Sequence, residues 1–507
     1  MSKVDISTSV HILANKTLWF LFYHVPIKPI MMKIILNILF LVFASTAHSQ
    51  SLFEGTGERE DWLGTYYQGK KMGFTKSVTR WGPDGLVMDS TVFFKIRSKS
   101  VDQSTTIKQT TRLDLDYRLL SFSLLQEISG HRQQVEGTLK GNELRYRTKS
   151  LGYDKEKTVE FTSTTVPSST FLLNLISDSL RVGQKGELPL FVEPLQLMVD
   201  LQYEVLRKET LQYRGESVDT FVIRQRFSGM ESTIWLANDG SVYRETTDMG
   251  FESFKEERQE AQKIDEAMTI SSIITMSLVK PDKPLPRPYK KYDLVYQIHP
   301  VGSQDSIPED HRQTILKSEK QADGNYITKL RVKSEPEKIG RIPQKKEALS
   351  PKYMEETAEV QSQHPMIRAL ARELSADSKS KWQLAKDINL WVHLNLKKEM
   401  VDTVTALDAL LERRGECQSH TFLFTALARA SGIPTRIVNG LVYSKEYEGF
   451  LYHAWPEVFV GEWRAMDPTF GQDRADATHI KLTQNSDENP FRMMEFVGKI
   501  SIGWSSP

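Results

Sequence analysis

The sequence predicts a multidomain chain: an N-terminal all-β domain of antiparallel sandwich or clamshell type, a middle β-containing segment, and a C-terminal α+β domain. Three observations predict it. Short runs rich in β-branched and aromatic residues fill the first half, four prolines crowd into Lys280–Pro288, and the last third turns to helical periodicity followed by strands. At 507 residues, two or three domains are expected. The expected divisions are an upstream extension with a signal peptide (1–49), the β-rich domain (50–260), a connecting segment (261–375), the core (376–490) and a tail (491–507).

The segment from Met32 reads as a signal peptide. Lys33 supplies the positive start, Ile34 to Phe43 is apolar apart from Asn37, and Ala47-His48-Ser49 offers a small-residue cleavage site before Gln50. The apolar run falls short of the roughly 20 residues that a membrane helix needs. Because Met1 to Met31 precede it, translation is expected to start at Met31 or Met32. The rival is an anchor from Leu18 to Phe43, interrupted by Pro26, Lys28, Pro29 and Lys33. The signal peptide places the mature protein in the periplasm or outside the cell, with no stable membrane insertion after its removal. No cysteine follows the apolar core, which excludes lipoprotein processing.

From Leu52 to Glu257 the strand signals include Thr91–Ile96, Thr220–Arg224 and Ser232–Leu236. Gly82-Pro83-Asp84-Gly85, Lys140-Gly141-Asn142 and Asn238-Asp239-Gly240 mark turns between strands. Glu256 to Met276 is expected to begin as a helix. Lys280–Pro288 can neither continue a helix nor sit in a central strand, so it is expected to be a stiff, extended connector. Strands follow near Tyr292–Gln297 and Tyr326–Val332, and Lys345 to Gln363 reads as a charged loop.

In the last third, Leu384, Ile388, Leu390, Trp391 and Leu394 recur near helical spacing over Lys381–Leu396. A second helix, Ala406–Leu411, leads to Arg413-Arg414-Gly415. A third, Cys417–Ala430, carries Phe422, Leu423, Ala426, Leu427 and Ala430 and ends at Ser431-Gly432-Ile433-Pro434. Strands are expected at Thr435–Val438, Gly440–Tyr443, His453–Val460 and Trp463–Met466.

The 66 basic and 65 acidic residues balance, so charge points to neither nucleic acid nor an anionic membrane as partner. There is no HExxH, Walker loop or GxGxxG, and no metal or cofactor is implied. What remains is Cys417, the only cysteine, which no internal disulfide can employ. One cysteine on a helix is, taken alone, more readily a small buried apolar residue than a nucleophile. Its place just after Gly415, in the first helical turn, favours a lowered thiol pKa. Downstream stand His453 and Asp467, and cysteine, histidine and aspartate supply the nucleophile, base and orienting acid of acyl transfer.

Hairpin parity tests that grouping. A two-residue loop at Gly461-Glu462 pairs Pro456 with Asp467 and puts the aspartate on the face opposite His453. A three-residue loop, Val460 to Glu462, pairs Trp455 with Asp467, leaving His453 and Asp467 diagonal at roughly 7–8 Å between backbones. Pro456 has no N–H to donate, so that side of it belongs at an edge or bulge. His420, one turn along the helix from Cys417, is a poorer base because an aspartate cannot readily orient it. His364, His393 and His479 have no partner legible in the sequence.

Gly415-Glu416-Cys417, Arg429–Arg436, His453-Ala454-Trp455-Pro456-Glu457-Val458 and Met466-Asp467-Pro468-Thr469 resemble, in order and spacing, the transglutaminase-like superfamily with its papain-like fold. The resemblance spans about Lys381 to Lys481 and implies Cys417 as nucleophile, His453 as base and Asp467 as orienting acid. The segment from Trp62 to Gly73 also looks like regions preceding this domain in exported bacterial homologues. The single cysteine excludes the paired-cysteine zinc site of glycan-removing relatives, and no EF-hand-like loop suggests calcium. The Cys417 N–H is one expected oxyanion donor, with Gln418 or Asn395 as a second. The implied substrate is an amide of a peptide or protein, cell-wall peptide included, attacked through a Cys417 thioester that water or an amine resolves. The alternative is a non-catalytic binding scaffold of the cell envelope.

Overall fold

The computed structural model describes residues 55–98, 101–128, 130–177, 180–264, 268–269, 277–303, 306–337, 350–399, 405–484 and 490–507. The signal-peptide segment lies outside them, as do parts of the Glu256–Met276 and Lys345–Gln363 segments.

The N-terminal domain is one continuous sheet with two meandering arms. The first arm runs through eight antiparallel strands from Gly57–Tyr67 to Tyr153–Glu160, and the second from Val166–Pro167 back to Phe251–Lys255. The first and last long strands pair, Leu63 opposite Lys255, and so join the arms into a single sheet. Alternation decides which face turns inward: Leu144, Tyr146 and Thr148 are buried, while Glu143, Arg145 and Arg147 between them are exposed. The rings of Phe122 and Tyr146 on one arm each lie 5.9 Å from Phe191 on the other. The inner faces therefore pack together as a clamshell, without the separate sheets of a sandwich. Each turn signal joins two strands; at the first, Gly82 pairs with Gly85 across Pro83-Asp84, and Gly85 takes φ 113°.

After Lys255 comes the short helix Arg258–Ala261, and Met268–Thr269 pairs with the strand Gly85–Ser98. The helix expected from Glu256 is thus one turn long as far as it is described. The proline connector is extended but docked. Val279 bridges Phe450, Pro281 bridges Ile502, and the N–H of the buried Leu285 donates to the Tyr443 hydroxyl oxygen at 3.1 Å. The middle segment supplies three strands, Gln313–Lys320, Tyr326–Lys333 and Asp293–Val301. The fourth, Ser501–Ser505, comes from the segment expected as a tail.

The core domain contains helices α1 (Pro365–Ser375), α2 (Lys381–Asn395), α3 (Ala406–Glu412) and α4 (Cys417–Ala430). Strands β1 (Thr435–Ser444), β2 (Gly449–Phe459), β3 (Trp463–Ala465) and β4 (Ile480–Gln484) form a sheet in the order β3-β2-β1-β4. The two strands expected between Thr435 and Tyr443 are one. Helix α1, missed in the sequence, packs Ile367 and Ala371 into the same cluster as Leu423 and Leu427, so the helical layer begins before residue 376. Helix α4 is buried from Cys417 to Arg429 except at the half-buried Gln418, as a central helix must be. In α2 the inward face is Leu384, Ala385, Ile388 and Val392, whereas Leu390 and Leu394 are exposed.

Candidate active site

Cys417 lies at the first position of α4, and the residue ahead of it shapes its surroundings. Glu416 is the N-cap, and its carboxylate accepts the backbone N–H groups of Gln418 (3.0 Å) and Ser419 (3.3 Å). The Cys417 thiol donates to the same carboxylate at 3.2 Å. Those free N–H groups were expected to favour a thiolate, but Glu416 occupies them. Burial, then the negative charge of Glu416, push the Cys417 thiol well above its usual range, with the backbone N–H of Ala454 pulling the other way. Burial likewise raises Glu416 to about 7 against the hydrogen bonds it accepts. The left-handed residue ahead of α4 is Arg413, φ 54°, after which Arg414-Gly415 pairs with Lys397-Lys398.

His453 sits mid-strand in β2, directly opposite Gly440 of β1. A Cβ on Gly440 would stand 1.9 Å from the Ile480 carbonyl and 2.7 Å from the Trp455 ring, so only glycine admits this approach of β4. The β2–β3 hairpin has the three-residue loop Val460–Glu462, since Phe459 pairs with Trp463 and Glu457 with Ala465. Met466 N–H donates to the Pro456 carbonyl at 3.1 Å, and Pro456 has no N–H to return. The ladder therefore stops after Ala465, releasing Asp467 into a turn closed by its reciprocal bonds with Gln472.

This geometry brings His453 Nε2 to 2.8 Å from Asp467 Oδ2, with both side chains buried. Asp467 Oδ1 accepts the N–H groups of Thr469 (2.7 Å) and Phe470 (3.1 Å), and Oδ2 accepts a second imidazole, His479 Nε2, at 3.0 Å. Burial alone would raise Asp467, but the charge and N–H of His453 and the bond from His479 outweigh it and hold the carboxyl well below its usual range. The Phe470 ring stacks on His453 at 5.0 Å and Lys398 Nζ lies 5.2 Å from that ring. His453 Nδ1 has no hydrogen-bond partner among the described residues. The neighbouring amide, Ala454, is the one that meets the Cys417 thiol, and Thr421 on α4 donates to the Ala454 carbonyl at 3.0 Å. The first turn of α4 and the His453 stretch of β2 are thus held against each other, and the thiol's own hydrogen bond goes to Glu416.

The secondary candidates separate clearly. His420 holds the Glu416 carbonyl at 2.7 Å, and burial lowers it to about 4, which leaves it neutral. Asn395 donates one turn back to the Trp391 carbonyl at 2.8 Å, and the Gln418 N–H is committed to Glu416. His364 caps α1, and His393 Nδ1 lies 3.2 Å from the Pro468 carbonyl. His479, without a partner in the sequence reading, bonds Asp467 and Asp476. Asp476, three residues ahead of it, is a local partner, whereas Asp467 is reached only through the turn that follows it.

His453, Asp467 and His479 also form a group able to hold a metal ion, with ligand atoms all within 4.8 Å. Both imidazole contacts to Asp467, at 2.8 and 3.0 Å, are hydrogen-bond distances. Ligands around a tetrahedral zinc stand about 3.3 Å apart at ordinary bond lengths. The cluster is therefore built for sharing protons.

Residues 368–468 match the family model of the transglutaminase-like superfamily, so the C-terminal domain is transglutaminase-like. Among solved structures, the chain is similar to a candidate cysteine protease from Cytophaga hutchinsonii: 17% identity over 43% of this chain and 83% of that one, TM-score 0.29. It is also similar to a β-barrel-like protein of a domain of unknown function from Brucella abortus: 12% identity, 40% and 95% covered, TM-score 0.31. A candidate protease from Parabacteroides distasonis shows 10% identity, 70% and 69% covered, TM-score 0.19. No curated protein matches at a significant level.

Proposed function

We propose, from the transglutaminase-like core, that the protein is an exported cysteine enzyme that breaks amide bonds of peptides or proteins through a Cys417 thioester. The observation that carries this reading is the buried His453–Asp467 pair, held at 2.8 Å beside the helix that begins at Cys417. A carboxylate oxygen only accepts, so Nε2 carries the imidazole hydrogen and Nδ1 keeps a lone pair. That lone pair takes the thiol proton as sulfur adds to the amide carbonyl. When the C–N bond breaks, His453 returns the proton to the leaving amine and a thioester remains. Water then restores the acid and the thiol, or an amine yields a new amide; hydrolysis is favoured because water is always present. Export, to the periplasm or beyond, rests on the segment at residues 32–49. The substrate class includes cell-wall peptides.

A second reading has one observation in its favour. Cys417 and His453 are each only 1% exposed, and a thiol that is buried and raised in pKa suits a non-catalytic envelope scaffold. The pH dependence of iodoacetamide alkylation on the full chain, beside His453→Ala, separates the two. Reaction that persists below pH 8 and is slowed by the histidine change supports the enzyme. Slow reaction with ordinary thiol behaviour, indifferent to His453, sinks it and leaves the scaffold.

A further inference from the structure

The proton transfers just described leave one histidine of the buried cluster without a part. His479 immediately precedes β4, with Nε2 3.0 Å from Asp467 Oδ2 and Nδ1 3.2 Å from Asp476 Oδ1. Other donors help to keep both acids ionised. Asp476 Oδ1 takes the N–H of Thr478 at 2.8 Å and its hydroxyl at 2.5 Å, and Oδ2 takes the Gln472 amide at 2.9 Å. Asp467 Oδ1 is filled by the two turn amides. A ring facing a carboxylate on each side carries hydrogen on both nitrogens, which makes it a cation. Burial opposes that charge, but the bonds to Asp467 and Asp476 prevail and raise His479 to about 9.

We propose that His479 is a positioning residue of this site: a fixed imidazolium that clamps Asp467 toward His453 and disfavours the charged form of the Cys417–His453 pair. The inference rests on His453 being the base. Moving the thiol proton to His453 would put a second cation on a ring 6.0 Å from His479, centroid to centroid. Like charges repel at that range, so a fixed imidazolium at His479 opposes protonation of His453. The other charged or titratable groups facing the cluster do not cancel this. Lys398, next to α2, adds positive charge over Phe470, while burial lowers His393 on α2 and His420 on α4. Glu416 opposes a thiolate directly.

Two measurements on the full chain test it. With histidine labelled by nitrogen-15, imidazole spectra at pH 8 should contain a ring that keeps both N–H hydrogens; spectra in which every imidazole is neutral overturn the proposal. In His479→Gln, the pH midpoint of Cys417 alkylation should move down by about one unit as the ion pair becomes easier to form. An unmoved midpoint in a folded variant also overturns it, and if the variant does not fold the imidazole spectra decide. His453→Ala runs in parallel. If that change leaves the wild-type profile untouched, the base assignment fails and takes this inference with it. If it alters the profile while His479→Gln does not, only the role of His479 fails.

Discussion

Four donors converge on the two oxygens of Asp467, and that saturation leaves no acceptor to spare. An asparagine has one acceptor oxygen and an NH2 group, so in either orientation it sets donor against donor. Asp467→Asn is expected to cost about 3–5 kcal/mol, because the His479 cation loses a buried counter-charge. It should also remove any dependence of low-pH Cys417 alkylation on His453. Thermal melts and alkylation rates check this, and an unchanged melting temperature would show that Asp467 is not the charged centre of the cluster. Glu416 makes the complementary point at the nucleophile. A helix N-terminus lowers a thiol pKa only if the thiolate receives its N–H groups, and here the preceding carboxylate has them. The residues of the candidate site were readable because each sits in a local motif, but their protonation was not, because it depends on burial and on which neighbour takes each donor.

At the scale of elements, the hairpin and the glycine opposite His453 control alignment. The three-residue loop puts Asp467 on the histidine's side of β2, and parity made that readable once strand ends were located. The close approach of β4 to Gly440 was not readable, since Ile480 is distant in sequence and the register shifts between Asn439 and Gly440. Gly440→Ala drives a Cβ into a backbone carbonyl, which cannot swing aside as a side chain would. The expected loss is about 3 kcal/mol or more, in the range of overpacked cores, with β4 and His479 displaced. A melting temperature equal to that of the unaltered protein would mean that the strand yields freely. The pattern of helix α1 was, by contrast, legible in the sequence: Ile367, Leu370, Ala371 and Leu374 fall at i, i+3, i+4 and i+7 and pack against one cluster.

Across the whole molecule, charge and strand exchange bind the parts. Glu335 from the middle segment pairs with Arg464 of β3 at 3.2 Å, and Lys481 of β4 joins Glu457 at 2.6 Å and also bonds Asp310. His131 of the clamshell meets Asp408 of α3 at 3.0 Å, and Lys499 meets Asp248 at 2.7 Å. The final strand is wedged between the connector and Asp293–Val301, with Ile502 buried and the Trp504 indole donating to the Lys283 carbonyl at 2.8 Å. Deleting Ser501–Pro507 should therefore destabilise the middle sheet by about 2–5 kcal/mol, on the scale of losing one large buried aliphatic residue. Calorimetry reads this directly, and an unaltered transition would show that the strand is an ornament. The sequence by itself determined the division into a β-rich half and an α+β core and the helix that begins at Cys417, because each follows from local periodicity, turn chemistry and spacing; for the hairpin it set only the condition, a three-residue loop, under which Asp467 meets His453. Only the tertiary structure decided that the arms form one clamshell sheet, that the chain's end completes the middle sheet, and that Glu416 and His479 govern the charges around the thiol and the aspartate. Those outcomes depend on contacts between residues far apart in the chain and on exclusion of water from the groups they enclose, and neither is written into any short stretch of sequence.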